Sequence, residues 1–317
     1  MVKIAILDDY QGVSLSMADW SLLQPNVNLE VFTEWLHPNS LAERLYEFDI
    51  IAAMRERTVF NRTLLKKLTN LKLLVTTGMR NTSIDMDAAK EFGIQVSGTS
   101  GSSHSTAELT WGLILSLAKN IPSEDRSIRS GSWQTSLGID LEGKVLGVMG
   151  LGRLGSKVAT IGLAFGMSVI AWSQNLTEER ASEFGVKLVS KDTLFSESDF
   201  LSIHLQLSDR TIGLVGSLEL GIMKPTAYIV NTSRGPIIDT NSLQQALKNG
   251  TIRGAGLDVF DMEPIPLDNE YLVLKNTVLT PHVGYVTEEV YKVFYSETVE
   301  DIKHWLDGKP LRVLNNL

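Results

Sequence analysis

The chain has 317 residues, of which 43% are hydrophobic and 21% charged, a composition typical of a folded protein and a length that favours two domains. Its formal net charge of −8 argues against a protein that binds nucleic acid or an anionic membrane through a general positive field. Because the sequence contains no cysteine, disulfides, thiolate nucleophiles and cysteine-ligated metals are excluded, and no metal site is expected.

The N-terminus and the apolar runs give expectations about location. Residues 1–9 read as a short strand that ends in two acids, which is not the pattern of a signal peptide. The longest apolar run, around residues 109–118, is too short to cross a bilayer. We therefore expect a soluble, cytoplasmic protein.

Short β-type runs alternate with helix-length segments along the chain. In the first hundred residues the predicted strands are residues 4–7, 50–53, 73–76 and 95–97. In the second part they are residues 145–149, 168–171, 200–203, 228–231, 254–258 and 277–280. This alternation predicts an α/β protein with two Rossmann-like, doubly wound domains, each with a parallel sheet.

Three segments between and after these series predict the domain organisation. Residues 97–103 are small and polar and predict a domain boundary. A helix predicted over residues 106–121 is apolar on nearly every side, so we expect it to be buried in a core or against a partner. A last helix is predicted from Thr287 to about Asp307, with acids in its first turn and basic residues near its end.

The run GLGRLG at residues 150–155 lies between a predicted buried strand and a predicted helix. In that context the first glycine makes a tight turn, the second admits a pyrophosphate and the third lets the helix pack on the strand. The pyrophosphate then meets free N–H groups at the helix N-terminus. The candidate cofactor-binding residues of this turn are Gly150, Gly152, Arg153, Leu154 and Gly155.

Of the five histidines, His282 is the best candidate for acid–base chemistry, because it follows a predicted strand end, where ligands of parallel sheets bind. His204 also follows a strand end, and cofactor binding and packing are both open for it. His104 lies in the polar linker, and the sequence supports a site residue and a surface residue equally. His37 and His304 read as solvated or capping residues.

Two further predicted strands end in charged residues. Arg234 follows the strand at residues 228–231, and Asp258 and Glu263 come at and after the end of the strand at residues 254–258. Each has a structural alternative, such as a surface ion pair for Arg234 or a turn before proline for Glu263. Three strand ends of suitable chemistry in one predicted nucleotide domain favour a catalytic site.

Five segments in this order resemble the D-isomer-specific 2-hydroxyacid dehydrogenase family, and the resemblance covers essentially the whole chain. They are RERT at residues 55–58, the glycine turn at 150–155, NTSRGP at 231–236, GLDVFDMEP at 256–264 and TPHVG at 280–284. The third and fourth segments, placed after the glycine turn, are highly specific together.

The resemblance implies the fold and the catalytic residues. Arg234, Glu263 and His282 match the family's catalytic arginine, glutamate and histidine. It also implies a discontinuous substrate domain around the dinucleotide domain, here residues 1–98 with 287–317 around residues 99–286. Glu263 argues against a formate-dehydrogenase-like protein, since that branch has glutamine in this role.

The chemistry of a 2-keto acid is consistent with this set. Arg234 is expected to hold the carboxylate and polarise the ketone, and His282 to exchange the proton. Glu263 is expected to orient His282 and to favour its protonated ring. The nicotinamide supplies the redox chemistry.

The resemblance also predicts substrate contacts in the first domain. Residues 77–81 match the loop whose backbone N–H groups hold the substrate carboxylate, although Met79 and Arg80 depart from the usual small or acidic residues. Arg80 suggests a second anionic group on the substrate, with a surface ion pair as the alternative. The candidate substrate-binding residues are Arg55, Gly78, Met79 and Arg80, and Arg57 is left open.

The acid that usually binds the ribose of NAD is missing. Ser173 stands at that position, about 20 residues past the glycine turn. This removes repulsion toward a 2′-phosphate, but no arginine follows directly, and Arg153 and Arg180 are the nearest. We expect NAD or NADP, with a lean toward NADP or dual use. The further candidate cofactor-binding residues are Ser173, His204, Thr232 and Asp258.

The leading hypothesis is a D-2-hydroxyacid dehydrogenase or 2-keto acid reductase that acts on a small-molecule substrate as a homodimer. The substrates left open are 3-phosphoglycerate, glycerate or hydroxypyruvate, glyoxylate and lactate-type acids. The alternative is a non-catalytic, dinucleotide-sensing protein of the corepressor type, which this fold also hosts.

Overall fold

The structure is a computed structural model that describes residues 1–25, 27–101 and 104–317. The chain divides into two compact units, which are described separately. The first consists of Met1–Ser102 with Val286–Leu317, and the second of Ser103–Tyr285. Both units are built on parallel sheets, which confirms the predicted α/β class.

The N-terminal part of the first unit alternates strands with short helices. Its elements are β1 Val2–Ile6, α1 Ser14–Met17, a 3-10 helix Trp20–Leu23, β2 Val27–Val31, α2 Leu41–Leu45, β3 Ile50–Ala53, α3 Arg62–Lys67, β4 Leu73–Thr76, α4 Met86–Glu91 and β5 Gln95–Gly98. The sheet has the order β2-β1-β3-β4-β5. Strands β3, β4 and β5 are buried along their whole length, as parallel strands with both faces covered are.

The second unit contains a seven-stranded parallel sheet. Its elements are α5 His104–Ala118, α6 Ile121–Arg129, β6 Val145–Met149, α7 Arg153–Ala164, β7 Ser168–Trp172, α8 Glu178–Ser182, β8 Lys187–Leu188, α9 Lys191–Glu197, β9 Phe200–Ile203, α10 Ser217–Gly221, β10 Tyr228–Asn231, a 3-10 helix Gly235–Ile237, α11 Thr240–Lys248, β11 Gly254–Leu257, a 3-10 helix Glu270–Leu272 and β12 Thr277–Leu279. The strand order is β12-β11-β10-β9-β6-β7-β8. The order reverses between β9 and β6, and ligands of such sheets bind at the carboxyl ends beside that point.

The chain returns to the first unit, which includes α12 Glu288–Leu306. The Thr287 hydroxyl caps the helix by accepting a hydrogen bond from the N–H of Val290 at 3.3 Å. At the other end Asp307 is the cap residue and Gly308 has a φ of 72°, which ends the helix.

The structure departs from the predicted elements at three places. Strands β2 and β8 were not predicted, and both lie at sheet edges, where a strand needs less apolar sequence. The helix predicted over residues 106–121 is two helices, α5 and α6, separated at Asn120, whose φ is 55°. In the predicted linker, residues 97 and 98 belong to β5, and Ser102 and Ser103 lie outside the described residues.

Helix α5 is buried by its own unit. Its side chains Trp111, Leu113, Ile114 and Leu117 are at most 5% exposed and pack with the sheet and α7. Of the two expectations for this helix, burial in a core is therefore the one observed, and its apolar character is no argument for a dimer.

Residues 1–25, 27–101 and 104–317 contain neither a candidate membrane-spanning helix nor a candidate metal site. None of their helices is long and apolar enough to cross a membrane. They also hold no group of three or more histidine or acidic side chains that could bind a metal ion.

Candidate active site

The three predicted catalytic residues follow neighbouring strands of the seven-stranded sheet. β11 pairs with both β10 and β12, and Leu257 is level with Asn231 on one side and Leu279 on the other. Arg234, Glu263 and His282 all come after these strand ends, so the parallel sheet delivers them to the same edge.

His282 and Glu263 form a close pair. His282 Nδ1 lies 2.6 Å from Glu263 Oε2, and both side chains are half-buried or nearly buried. The other carboxylate oxygen, Glu263 Oε1, accepts the backbone N–H of Phe260 at 2.9 Å. The carboxylate is therefore fixed at both oxygens, and it fixes the imidazole through Nδ1.

The backbone around His282 is held by Asp258, which directly follows β11 and is 1% exposed. Asp258 Oδ1 accepts the Thr280 hydroxyl at 2.6 Å and the N–H of Val283 at 2.8 Å. Its Oδ2 accepts the N–H of Gly284 at 3.0 Å. Burial raises the pKa of Asp258, and the hydrogen bonds from Thr280 and Val283 act in the opposite direction. This clamp lets His282 occupy a left-handed backbone conformation, with a φ of 53°.

Arg234 is held in the loop after β10 by its neighbours. Asn231 Nδ2 donates to the carbonyl oxygen of Arg234 at 2.9 Å, and Asn231 Oδ1 accepts the N–H of Ser233 at 3.0 Å. The half-buried guanidinium donates from Nη1 to the carbonyl oxygen of Ser233 at 2.7 Å. The next residue, Gly235, lies so close to the backbone of Phe260 that any Cβ would collide with it. This approach places the Arg234 loop against the loop that holds Glu263.

Thr232 takes part in a chain of hydroxyl groups. The Thr110 hydroxyl donates to the carbonyl oxygen of Thr106 at 2.8 Å, and its oxygen lies 2.8 Å from Thr232 Oγ1. Because a threonine has one hydroxyl proton, Thr232 is the donor to Thr110. Thr232 Oγ1 therefore remains an acceptor for a further partner.

The glycine turn has the geometry of a phosphate cradle. Gly150 has a φ of 102°, donates its N–H to the carbonyl oxygen of Trp172 at 2.9 Å, and has no room for a Cβ because it would lie 2.9 Å from the carbonyl oxygen of His204. A Cβ on Gly155 would collide with the backbone of Gly150. Within the described residues nothing lies within 4 Å of a Cβ built on Gly152, so the backbone is open at that point.

Helix α7 begins directly after Gly152, with Arg153 exposed and Leu154 half-buried in its first turn. That turn contains no acidic residue, so its N–H groups and the helix dipole favour an anion there. The open glycine and the uncapped helix fit the pyrophosphate of a dinucleotide.

The residues that we expect beside the ribose and the nicotinamide of the cofactor follow two other strands. Ser173 directly follows β7 and is half-buried, whereas Arg180 is paired with Glu183 and lies 4.5 Å from the ring of Phe184. Arg180 is thus engaged within α8 and its flank.

His204 directly follows β9, and its Nε2 lies at hydrogen-bond distance, 2.8 Å, from Ser202 Oγ. The tautomer of the ring decides which of the two groups is the donor. Removal of its ring from water lowers the pKa of His204 to about 4. His204 is therefore neutral near pH 7 and is a poor proton donor. His104, at the start of α5, is exposed.

In the first unit the predicted substrate residues follow the adjacent strands β3 and β4. The N–H of Arg55 donates to Thr77 Oγ1 at 2.9 Å. The Arg55 guanidinium packs against Gly78, whose φ of 89° favours glycine at this position. Met79 and Arg80 follow with exposed side chains.

Arg57 makes contacts inside the first unit. Its Nη1 donates to the carbonyl oxygen of Asp8 at 3.0 Å, and its guanidinium lies 4.7 Å from the centre of the Tyr10 ring. These contacts join the loops that follow β1 and β3.

Sequence reasoning missed two asparagines that organise the loops. Asn81 is buried and donates from Nδ2 to the carbonyl oxygen of Arg55 at 2.5 Å and to Thr76 Oγ1 at 2.8 Å. Asn231 supports Arg234 as described above. The available signal was an amide side chain at or shortly after the end of an apolar strand, a position suited to bonding the backbone of a turn.

Comparison with known proteins identifies the family. A family model described as D-isomer specific 2-hydroxyacid dehydrogenase, NAD binding domain, matches residues 111–284. The chain belongs to this family, which confirms the resemblance inferred from the sequence. The matched segment lies within the second unit and includes the glycine turn at residues 150–155.

The similar proteins include enzymes with different substrates. The chain is 38% identical to a D-3-phosphoglycerate dehydrogenase of Methanocaldococcus jannaschii over 98% of its own length and 58% of that enzyme. It is 39% identical to a glyoxylate reductase of Thermococcus litoralis over 78% of each chain. The structure resembles that of a phosphoglycerate oxidoreductase of Vibrio cholerae with a TM-score of 0.93 and 34% identity, covering 97% of this chain and 100% of the other. The chain thus spans little more than half of the first relative.

Proposed function

We propose that this protein is a D-2-hydroxyacid dehydrogenase that interconverts a small 2-keto acid and the D-2-hydroxy acid. The observation that carries the proposal is the 2.6 Å pair of His282 and Glu263 in a loop that packs against the Arg234 loop. A protein that only senses a dinucleotide needs the glycine turn but not this acid–base pair, which disfavours the corepressor-type alternative.

The proposed chemistry assigns one task to each side chain. Arg234 binds the substrate carboxylate and polarises the ketone through its planar set of donors. With Nδ1 donating to Glu263, His282 exchanges a proton with the substrate oxygen through Nε2. The bound nicotinamide supplies the hydride for reduction and accepts it in oxidation. Arg55 and the backbone of Gly78, Met79 and Arg80 are proposed to bind the substrate.

The cofactor is proposed to lie along the carboxyl ends of β6, β7 and β9. The N–H groups of Arg153, Leu154 and Gly155 hold the pyrophosphate, beside Gly150 and Gly152. Thr232 Oγ1 is an acceptor, so it is suited to the carboxamide NH2 of the nicotinamide and not to its oxygen. His204 is proposed to contact the cofactor as a neutral side chain. Asp258 is proposed to contribute by holding the backbone around His282.

The experiment that tests the function is a screen of 2-keto acids with two to six carbons, with NADH and NADPH, followed at 340 nm. Glyoxylate, hydroxypyruvate, its 3-phosphate and pyruvate cover the substrates left open. We expect turnover of at least one of them, with a D-hydroxy acid as product by chiral chromatography. If no keto acid in the screen consumes either cofactor while both cofactors bind, the dinucleotide-sensing alternative is preferred.

We predict that the protein uses NADPH at least comparably to NADH, because Ser173 places no negative charge against a 2′-phosphate. Ser173→Asp is expected to shift the ratio of catalytic efficiencies toward NADH by at least about tenfold, since like charges a few ångströms apart repel by more than 1 kcal/mol even near a surface. Ser196→Asp adds the same charge to the exposed part of α9 and is the control. Two results together would contradict the placement of Ser173 beside the ribose. They are a wild type that strongly prefers NADH, and a ratio of catalytic efficiencies that Ser173→Asp does not change.

We further propose that the protein is a homodimer. Helix α6 and the segment after it expose Ile128, Trp133 and Leu137, the last two by 76% and 88%. Neighbouring exposed apolar side chains of this size are typical of an interface. Light scattering at micromolar concentration is expected to give twice the chain mass of 35.0 kDa, and the double substitution Trp133→Gln and Leu137→Gln to lower it. A monomeric wild type rules the proposal out.

A further inference from the structure

The second unit has a cavity of about 200 Å³ at the edge opposite to the candidate active site. It lies at the amino ends of β10 and β12, beside the end of α5 and the start of α6. Parallel strands place the catalytic loops at their carboxyl ends, so this cavity shares strands with the active site but none of its residues. The polar side chains that matter here are Ser116, Ser123, Arg126, Tyr228, Arg253 and Lys275.

The cavity concentrates positive charge in a chain whose net charge is negative. Its described lining residues include Arg126, Arg253 and Lys275 and no carboxylate, and none of these three forms an ion pair with another described residue. Three like charges around one cavity repel each other unless an anion compensates them.

Two other basic residues of the same unit form ion pairs with acidic neighbours. Lys119 lies 2.8 Å from Asp140, and Lys248 lies 2.6 Å from Glu270. The acids nearest in sequence to Arg126 are already engaged, because Asp125 pairs with Arg129 at 3.0 Å and Glu124 accepts hydrogen bonds from residues 135 and 136. Arg126 therefore forms no ion pair with another residue of α6.

Part of the site is held in place before any ligand arrives. The Arg253 guanidinium lies 5.7 Å from the centre of the Tyr228 ring, and Tyr228 stacks on Phe200 with ring centres 5.1 Å apart. Asn276 Nδ2 donates to the carbonyl oxygens of Leu247 at 3.1 Å and Arg253 at 3.3 Å, which fixes the backbone on that side.

We propose that this cavity binds a small polyanion with two phosphate or carboxylate groups, independently of the dinucleotide and the keto acid. The two guanidinium groups match planar or tetrahedral oxyanions through paired donors, and Lys275 adds a point charge. The Ser116 hydroxyl and Tyr228 supply neutral donors. The volume exceeds the roughly 30 Å³ of one water several times over, which leaves room for two linked anionic groups.

The test is isothermal titration calorimetry of the full chain with inorganic pyrophosphate at constant ionic strength. Saturating NADH is present throughout, so that the glycine turn is occupied. We expect one binding site per chain. Arg253→Gln and Lys275→Gln are each expected to weaken pyrophosphate binding at least tenfold and to leave the affinity for NADH unchanged.

Two matched controls separate this site from general charge effects. Lys187→Gln removes a charge from the exposed position on edge strand β8, and Arg210→Gln removes one from an exposed loop of the same unit; both are expected to bind pyrophosphate like the wild type. Lys275 is exposed, so its substitution keeps the test valid if Arg253→Gln destabilises the Tyr228 stack. The proposal is wrong if pyrophosphate does not bind, which is the result expected if a second copy of the chain covers the cavity. It is also wrong if the control variants lose as much affinity for pyrophosphate as the cavity variants do.

Discussion

Replacing His282 by asparagine is expected to lower kcat by about 10² to 10⁴, the range of a lost general acid or base. Asparagine tolerates the left-handed backbone at this position, with its φ of 53°, better than alanine does, and it cannot donate a catalytic proton. His282→Ala is expected to lose as much activity and, in addition, some stability. Steady-state kinetics at 340 nm measure the loss, and fluorescence titration is expected to show unchanged NADH affinity.

A histidine outside the site provides the control for this substitution. His304 lies in the last turn of α12, and His304→Gln is expected to keep full activity. If His282→Asn turns over like the wild type, another group is the acid. Of the alternatives named from the sequence, His204 has a pKa near 4 and is neutral at working pH, so His104 is then the residue to test.

Substituting Arg234 by lysine is expected to lower kcat/KM by about ten- to a hundredfold with the fold retained. Lysine keeps the charge but loses the paired donors, and one hydrogen bond to a charged group contributes about 1.5–3 kcal/mol. At about 1.4 kcal/mol per factor of ten, the loss of one such bond gives this range. Kinetics with the best keto acid of the screen measure it, and a raised KM for the acid is part of the expected result.

Arg210→Lys is the matched control, since Arg210 is exposed in a loop of the same unit. A thermal melt close to that of the wild type shows that the Arg234 variant is folded. An unchanged kcat/KM in folded Arg234→Lys would assign Arg234 to the loop structure alone, through its contacts with Asn231 and Ser233.

The sequence by itself determined the class of fold, the glycine turn and the family. Each depends on local pattern: apolar runs of strand length give parallel strands, and the spacing of three glycines gives the turn. The span of α12 was equally local, because Thr287 at one end and Gly308 at the other are capping signals. The edge strands β2 and β8 were not predicted from the sequence, because a strand that is hydrogen-bonded on one side only needs few apolar residues.

The tertiary structure decided which polar residues meet. Glu263 and His282 are 19 residues apart, and their 2.6 Å contact depends on the pairing of β11 with β12. The same holds for Asp258, which the sequence suggested as a cofactor ligand and the fold uses as the anchor of the His282 loop. It holds too for α5, whose apolar surface is covered by its own sheet. Such contacts join residues distant in the chain, and only the register of the strands fixes which side chains become neighbours.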